Sequence, residues 1–139
     1  MSLRSLEKIG TNIALLTVIA YPILGFNNIQ PAAAQRRDNY GAIAYSKGTR
    51  ANGTAWNFAT RAAAERAAKR ECESYSGSGD CQAVIWFRNA CGALAVANNG
   101  ALGWAWNRNR VPAETAAVRQ CVNYGGDGCK VVRWTCTDR

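Results

Sequence analysis

The sequence predicts an α+β domain in which two pseudo-symmetric strand-strand-helix-strand repeats form one antiparallel sheet, stapled by disulfides, with two helices on one face. Three observations lead there. A short motif occurs twice, six cysteines all lie in the repeated part, and the chain opens on a segment built like an export signal. At 139 residues there is room for one domain. Hydrophobic residues make up 48% of the chain, but much of that is alanine, which buries little area per residue.

The N-terminal segment is basic at Arg4 and Lys8, apolar from Ile13 to Phe26, and ends on Pro31-Ala32-Ala33-Ala34-Gln35. Ala32 and Ala34 fit the small-x-small pattern of signal peptidase, so residues 1–34 read as a secretory signal cut after Ala34. The apolar run is shorter than the ~20 residues a spanning helix needs. The mature part, residues 35–139, reads as a single domain with repeats at about 40–90 and 91–136. An exported chain with six cysteines reads as a disulfide framework. Periplasmic or secreted is the expected location.

Four ordered blocks define the repeat. Tyr40-Gly41-Ala42-Ile43-Ala44-Tyr45 matches Cys91-Gly92-Ala93-Leu94-Ala95-Val96, and Gly53-Thr54-Ala55-Trp56-Asn57 matches Gly103-Trp104-Ala105-Trp106-Asn107. Cys72 matches Cys121, and the stretch from Cys81 to Trp86 matches that from Cys129 to Trp134. The offsets fall from 51 through 50 and 49 to 48, one step per connection, which puts the gaps in loops.

The first block reads as a strand with small residues on one face. The second reads as a strand in which alternation puts Thr54 and Trp56 on one side. A helix then runs from about Arg61 to Tyr75, with Thr60 as its N-cap and Asn109 as the equivalent cap in the second copy. Pro112 falls in the first turn of the second helix, where a missing N–H does no harm. Ala63, Ala64, Ala67 and Ala68 make one helix face; Ala113, Ala116 and Ala117 keep most of it, and such small side chains let a helix approach a sheet closely. Gly-rich turns end both helices. The last strands, Val84-Ile85-Trp86-Phe87 and Val131-Val132-Arg133-Trp134, are β-branched and aromatic. A hairpin through Phe87-Arg88-Asn89-Ala90-Cys91 is expected to join the copies.

Cys72 and Cys81 bracket the turn between helix and last strand, as do Cys121 and Cys129. Repeat symmetry therefore favours Cys72–Cys81 and Cys121–Cys129, leaving Cys91–Cys136 as the third bridge.

The blocks Tyr-Gly-Ala-Ile-Ala-Tyr-Ser, Ala-Trp-Asn, Ala-Ala-Ala-Glu-Arg-Ala, Glu-Cys and Arg-Asn-Ala-Cys-Gly-Ala-Leu-Ala-Val together resemble the bacterial domain-of-unknown-function family 4189. The resemblance covers Tyr40 to Cys136. It implies a small exported bacterial domain and brings no catalytic residues with it.

The chain has no histidine. That removes the usual Ser-His-Asp and Cys-His nucleophile systems and the common histidine zinc sites. Successive cysteines are separated by 8, 9, 29, 7 and 6 residues, never the tight spacing of a zinc knuckle. No phosphate loop or dinucleotide fingerprint is present. Neither a metal, a cofactor, a catalytic residue nor specific nucleic-acid recognition is expected. The carboxylate pair that could support a small cell-wall hydrolase is Glu65 and Glu114, repeat mates that read better as i,i+4 partners of Arg61 and Arg110. Asp80 and Asp127 read as turn residues.

Trp56 with Trp106 and Trp86 with Trp134 are repeat mates, so a shared packing need puts them in the core. Trp104 stands opposite Thr54 and is the candidate for a ring stacked on a ligand. The whole chain carries +8, of which the signal holds one net unit. Arg66, Lys69 and Arg70 cluster on the first helix, while the second has Thr115 and Val118 in place of Arg66 and Lys69. A need of the fold would apply to both copies. The reading is an anion-binding patch on a non-enzymatic extracytoplasmic protein, with an acidic envelope polymer, an anionic membrane surface or a protein target as partner.

Overall fold

The computed structural model describes residues 37–139. The expected signal and its cleavage point after Ala34 lie outside the described residues. The elements follow the repeat: β1 (Tyr40–Tyr45), β2 (Asn52–Phe58), α1 (Arg61–Ser76) and β3 (Gln82–Arg88), then β4 (Cys91–Val96), β5 (Leu102–Asn107), α2 (Arg110–Asn123) and β6 (Lys130–Cys136). The α+β class and the pseudo-symmetric repeats are as the sequence predicts.

The strands do not form a single sheet. They divide into two antiparallel sheets of three, ordered β2-β1-β3 and β5-β4-β6. The first strand of each copy explains why. In β1, Ala42 and Ala44 pack on α1 through Ala64, Ala68 and Cys72. Between them, Ile43 and Tyr45 point the other way, into a second core with Phe87, Ala90 and Leu94. In β4, Ala93 and Ala95 pack on α2 through Ala113, Ala117 and Cys121. A strand with small residues on one face and large ones on the other is buried twice, by a helix outside and a sheet inside. The layers run helix, sheet, sheet, helix, so the helices cover opposite outer faces rather than one shared face.

Alanine and glycine set the helix–sheet spacing. A side chain at Gly53 would collide with the α1 backbone at Ala68 and Cys72, and one at Gly103 with α2 at Ala117 and Cys121. The strands β2 and β5 thus lie directly against helix backbone. Between the sheets the limit is Phe87, 1% exposed, whose ring occupies the space that side chains at Gly41 and Gly92 would need.

The junction is a corner, not the expected hairpin. Among the described residues β3 pairs with β1, and β4 with β5 and β6. Asn89 turns left-handed at φ 49°, and the Ala90 N–H donates to the Thr137 hydroxyl at 3.0 Å while the Ala90 carbonyl accepts from the Thr137 N–H at 2.9 Å. The chain end thereby fixes the step from one sheet to the other. The three bridges are Cys72–Cys81, Cys121–Cys129 and Cys91–Cys136, the last between facing residues of β4 and β6. Thr60 caps α1, accepting from the Ala63 N–H at 3.2 Å. Asn109 holds the equivalent position without a capping hydrogen bond; its Oδ1 accepts from Arg139 instead.

Candidate functional site

The tryptophans reverse the expectation drawn from their pairing. All four repeat mates are exposed: Trp56 by 53%, Trp106 by 60%, Trp86 by 38% and Trp134 by 40%. The helix–sheet layer is too thin for an indole, because alanine and glycine fill it. Trp86 and Trp134 therefore lie beyond the alanine contacts, under the first residues of α1 and α2. The Arg61 guanidinium covers Trp86 at 4.6 Å from the ring centre, and Arg110 covers Trp134 at 3.5 Å. The same arginines bind Glu65 at 2.9 Å and Glu114 at 2.8 Å. Both glutamates thus serve as i,i+4 partners on helices that make no contact with each other.

Trp104 is half-buried against the core between the sheets. It belongs to a feature that sequence reading missed. Stacking two three-stranded sheets leaves two open sides, one between β2 and β6 and one between β3 and β5. The repeat symmetry relates them, yet the residues differ. On the first side Arg133 of β6 reaches Glu71 of α1 at 3.3 Å, and Glu71 also accepts from the Thr54 N–H, so an ion pair bridges the opening. On the second side the mates are Ile85 for Arg133, Gln120 for Glu71 and Trp104 for Thr54. Gln120 accepts from the Trp104 N–H at 2.6 Å, but Ile85 has no charge to send across. That side stays open.

The opening is a cleft in two parts that meet at Val84 and Trp104. One part, about 800 Å3, is walled by Ile85 and Phe87 of β3 and by Trp104 and Trp106 of β5, with Tyr40, Trp86 and Arg88, which lie on the α1 side of the first sheet, at its rim over the β3 edge. The other, about 690 Å3, is walled by Tyr45, Lys47, Arg50, Gln82 and Tyr124. No aspartate or glutamate lines either part. The neighbouring Tyr40 hydroxyl and the Asp38 carboxylate, 3.1 Å away, raise the Arg88 pKa above the usual arginine value. Arg50 donates to the Asn98 carbonyl at 3.2 Å, and Lys47 is exposed without an acidic partner among the described residues. Trp104 and Tyr124 lie 6.4 Å apart between ring centres, and Tyr40 and Trp86 6.3 Å. The result is an aromatic cleft with cations at both ends.

Arg66 and Arg70 are exposed on the outer face of α1 and Lys69 is half-buried beside them. None of the three has an acidic partner among the described residues. In α2 the Thr115 hydroxyl turns back to the Val111 carbonyl at 3.0 Å. The patch is a convex helix face and is not part of the cleft.

Glu73, Asp80 and Cys81 come together at the end of α1. The Cys81 sulfur is committed to its bridge, and Glu73 accepts from the Gly79 and Cys81 N–H groups at 2.8 and 2.7 Å. Asp80 accepts from the hydroxyls of Ser46 and Ser78 and from the Gly48 N–H, which lower its pKa to about 2. The group closes a turn and leaves no ligand atoms free. Asp127, its counterpart, uses only its backbone, accepting from the Asn98 N–H at 2.8 Å.

Residues 40–136 match the family model described as Domain of unknown function (DUF4189). The chain belongs to this family. Among curated proteins, the chain is similar to Protein Rv1269c of Mycobacterium tuberculosis and Protein Mb1300c of Mycobacterium bovis, each 46% identical over 63 residues. That alignment covers 45% of this chain and 46% of each relative, so it spans about half the length of those proteins. Among solved structures, the NMR structure of Rv1813c from Mycobacterium tuberculosis is similar at 32% identity and a TM-score of 0.51, over 70% of this chain and 74% of that one. The fold of this DUF4189 chain thus has a solved counterpart.

Proposed function

We propose that the protein is an exported, non-enzymatic binding domain of the cell envelope or extracellular space, and that its ligand is anionic. The observation that carries this reading is the difference between the two sides of the sandwich. The β2/β6 side is bridged by Arg133 and Glu71, while the β3/β5 side is open and aromatic, with Lys47 and Arg50 at one end, Arg88 with its partner Asp38 at the other, and no carboxylate among the lining residues between them. Three disulfides support an oxidising location. Cleavage after Ala34, with release to the periplasm or medium, completes the reading. The alternative of a hydrolase acting through Glu65 or Glu114 is less well supported, since each carboxylate is already paired on its own helix and neither lines the cleft.

The test is retention on an anionic matrix at low salt. Replacing Lys47, Arg50 and Arg88 by glutamine is expected to abolish retention, because the three charges flank one concave surface and at about 0.01 M salt the Debye length of about 30 Å spans it. Replacing Arg66, Lys69 and Arg70, an equal number of charges, tests the patch on α1 as the second anion site. Loss only in the second variant would move the site to the helix face. Equal loss in both would mean that net charge alone matters, and the reading would fail.

A further inference from the structure

We propose that the β3/β5 cleft takes one extended, carboxylated polysaccharide chain, with sugar faces on Trp104 and Trp106 and carboxylates met by Arg88 at one end and by Lys47 and Arg50 at the other. The proposal rests on the anion-binding reading above and names the ligand's class. Its first support is shape. The cleft follows β3 from Arg88 to Gln82, a seven-residue strand about 23 Å long at ~3.3 Å per residue, and it is open along its side. A small ligand would leave most of it empty, and a folded partner could not enter.

The second support is the character of the walls. Trp104 and Trp106 are two residues apart on β5, so both indoles face the same side. Tyr124 continues the line past Trp104. Flat rings in series suit the apolar faces of consecutive sugar rings, while cations only at the two ends suit charges spaced along a chain. The third support is what the edges lack. An acidic peptide would bind by adding a strand, and this side is ill-suited to that. The Trp104 N–H, in the middle of β5, is already taken by Gln120 at 2.6 Å. On β3 a bulge leaves Val84 without a partner, since Ile43 faces Ile85 and Ala44 faces Ala83. A bulged edge interrupts the ladder an added strand needs.

Calorimetric titration of the full oxidised chain with a galacturonate oligosaccharide, poly-L-glutamate of matched charge and uncharged dextran tests the proposal. The galacturonate oligomer is expected to bind, dextran to bind at least tenfold more weakly, and Trp106→Ala to weaken galacturonate binding about tenfold. Trp104→Ala risks the fold, because that ring packs on the core. Trp106 and Tyr124 are 60% and 62% exposed, so Trp106→Ala and Tyr124→Ala keep the test sound, with unchanged melting as the control. Poly-L-glutamate binding that exceeds the glycan's and ignores Trp106→Ala would overturn the glycan class and leave the anion reading standing. Dextran binding as tightly as galacturonate, or no binding of either polyanion, would overturn both.

Discussion

Asp80 shows how one side chain closes a connection in this fold. Hydroxyl donation from Ser46, then from Ser78, and the Gly48 N–H favour its charged form and hold its pKa near 2, below the value it would have in an unfolded chain. A depressed carboxylate pKa contributes stability that is complete above about pH 4 and lost as pH falls through about 2. Asp80→Asn is therefore expected to lower the melting temperature at pH 7, and the gap from the parent chain should narrow as acid is added toward pH 2. A gap independent of pH would show that the charge contributes nothing. The helix caps give a second contrast. Thr60→Ala should cost about 1 kcal/mol, and Asn109→Ala distinctly less, since only Thr60 accepts a capping hydrogen bond. Denaturant titration of both variants checks this. Sequence made Thr60 and Asn109 look equivalent; the difference lies in Arg139, which reaches the Asn109 side chain from across 30 positions and left no local trace.

At the scale of elements, spacing decides what a residue can do. Helices sit on strands through alanine and glycine, and that small-residue face was legible in the helical spacing of the alanines. Its consequence was not. A layer that thin has no room for indoles, so Trp86 and Trp134 mark exposed positions under arginine rather than core, while Trp56 and Trp106 are exposed on the other face of their strands. Gly103→Ala should destabilise by about 1–3 kcal/mol or more, because its new methyl meets α2 backbone at Ala117 and Cys121, which cannot swing aside. Gly77→Ala instead meets open space, and its cost should come from its left-handed φ of 63°. Thermal melts of the two separate packing from backbone strain. The disulfide pairing was legible because repeat symmetry acts on it directly: two bridges close the same turn in each copy. Non-reducing peptide mapping should return Cys72–Cys81, Cys121–Cys129 and Cys91–Cys136, and a Cys72–Cys121 peptide would contradict the fold.

The whole molecule turns on stacking two similar halves face to face. The large residues of β1 already pointed away from the alanine face, but nothing local said that a second sheet, rather than solvent, covered them. Phe87 fills the centre of that contact against both Gly41 and Gly92, and Phe87→Ala should cost roughly 3–5 kcal/mol as a cavity opens between the sheets. Stacking also creates the two open sides, and their inequality was half visible in the sequence. The Trp104–Thr54 mismatch stood out; the Ile85–Arg133 and Gln120–Glu71 mismatches gain meaning only once β3, β5 and the helices are brought together. The central claim is that the halves differ in function at these sides. The five tryptophan indole N–H signals read it directly, in a heteronuclear NMR titration of the full oxidised chain with a galacturonate oligosaccharide at low salt. The signals of Trp104, Trp106 and Trp86 are expected to move on binding while those of Trp56 and Trp134 stay in place. Movement of Trp56 together with Trp106, or of none of the five, would contradict it.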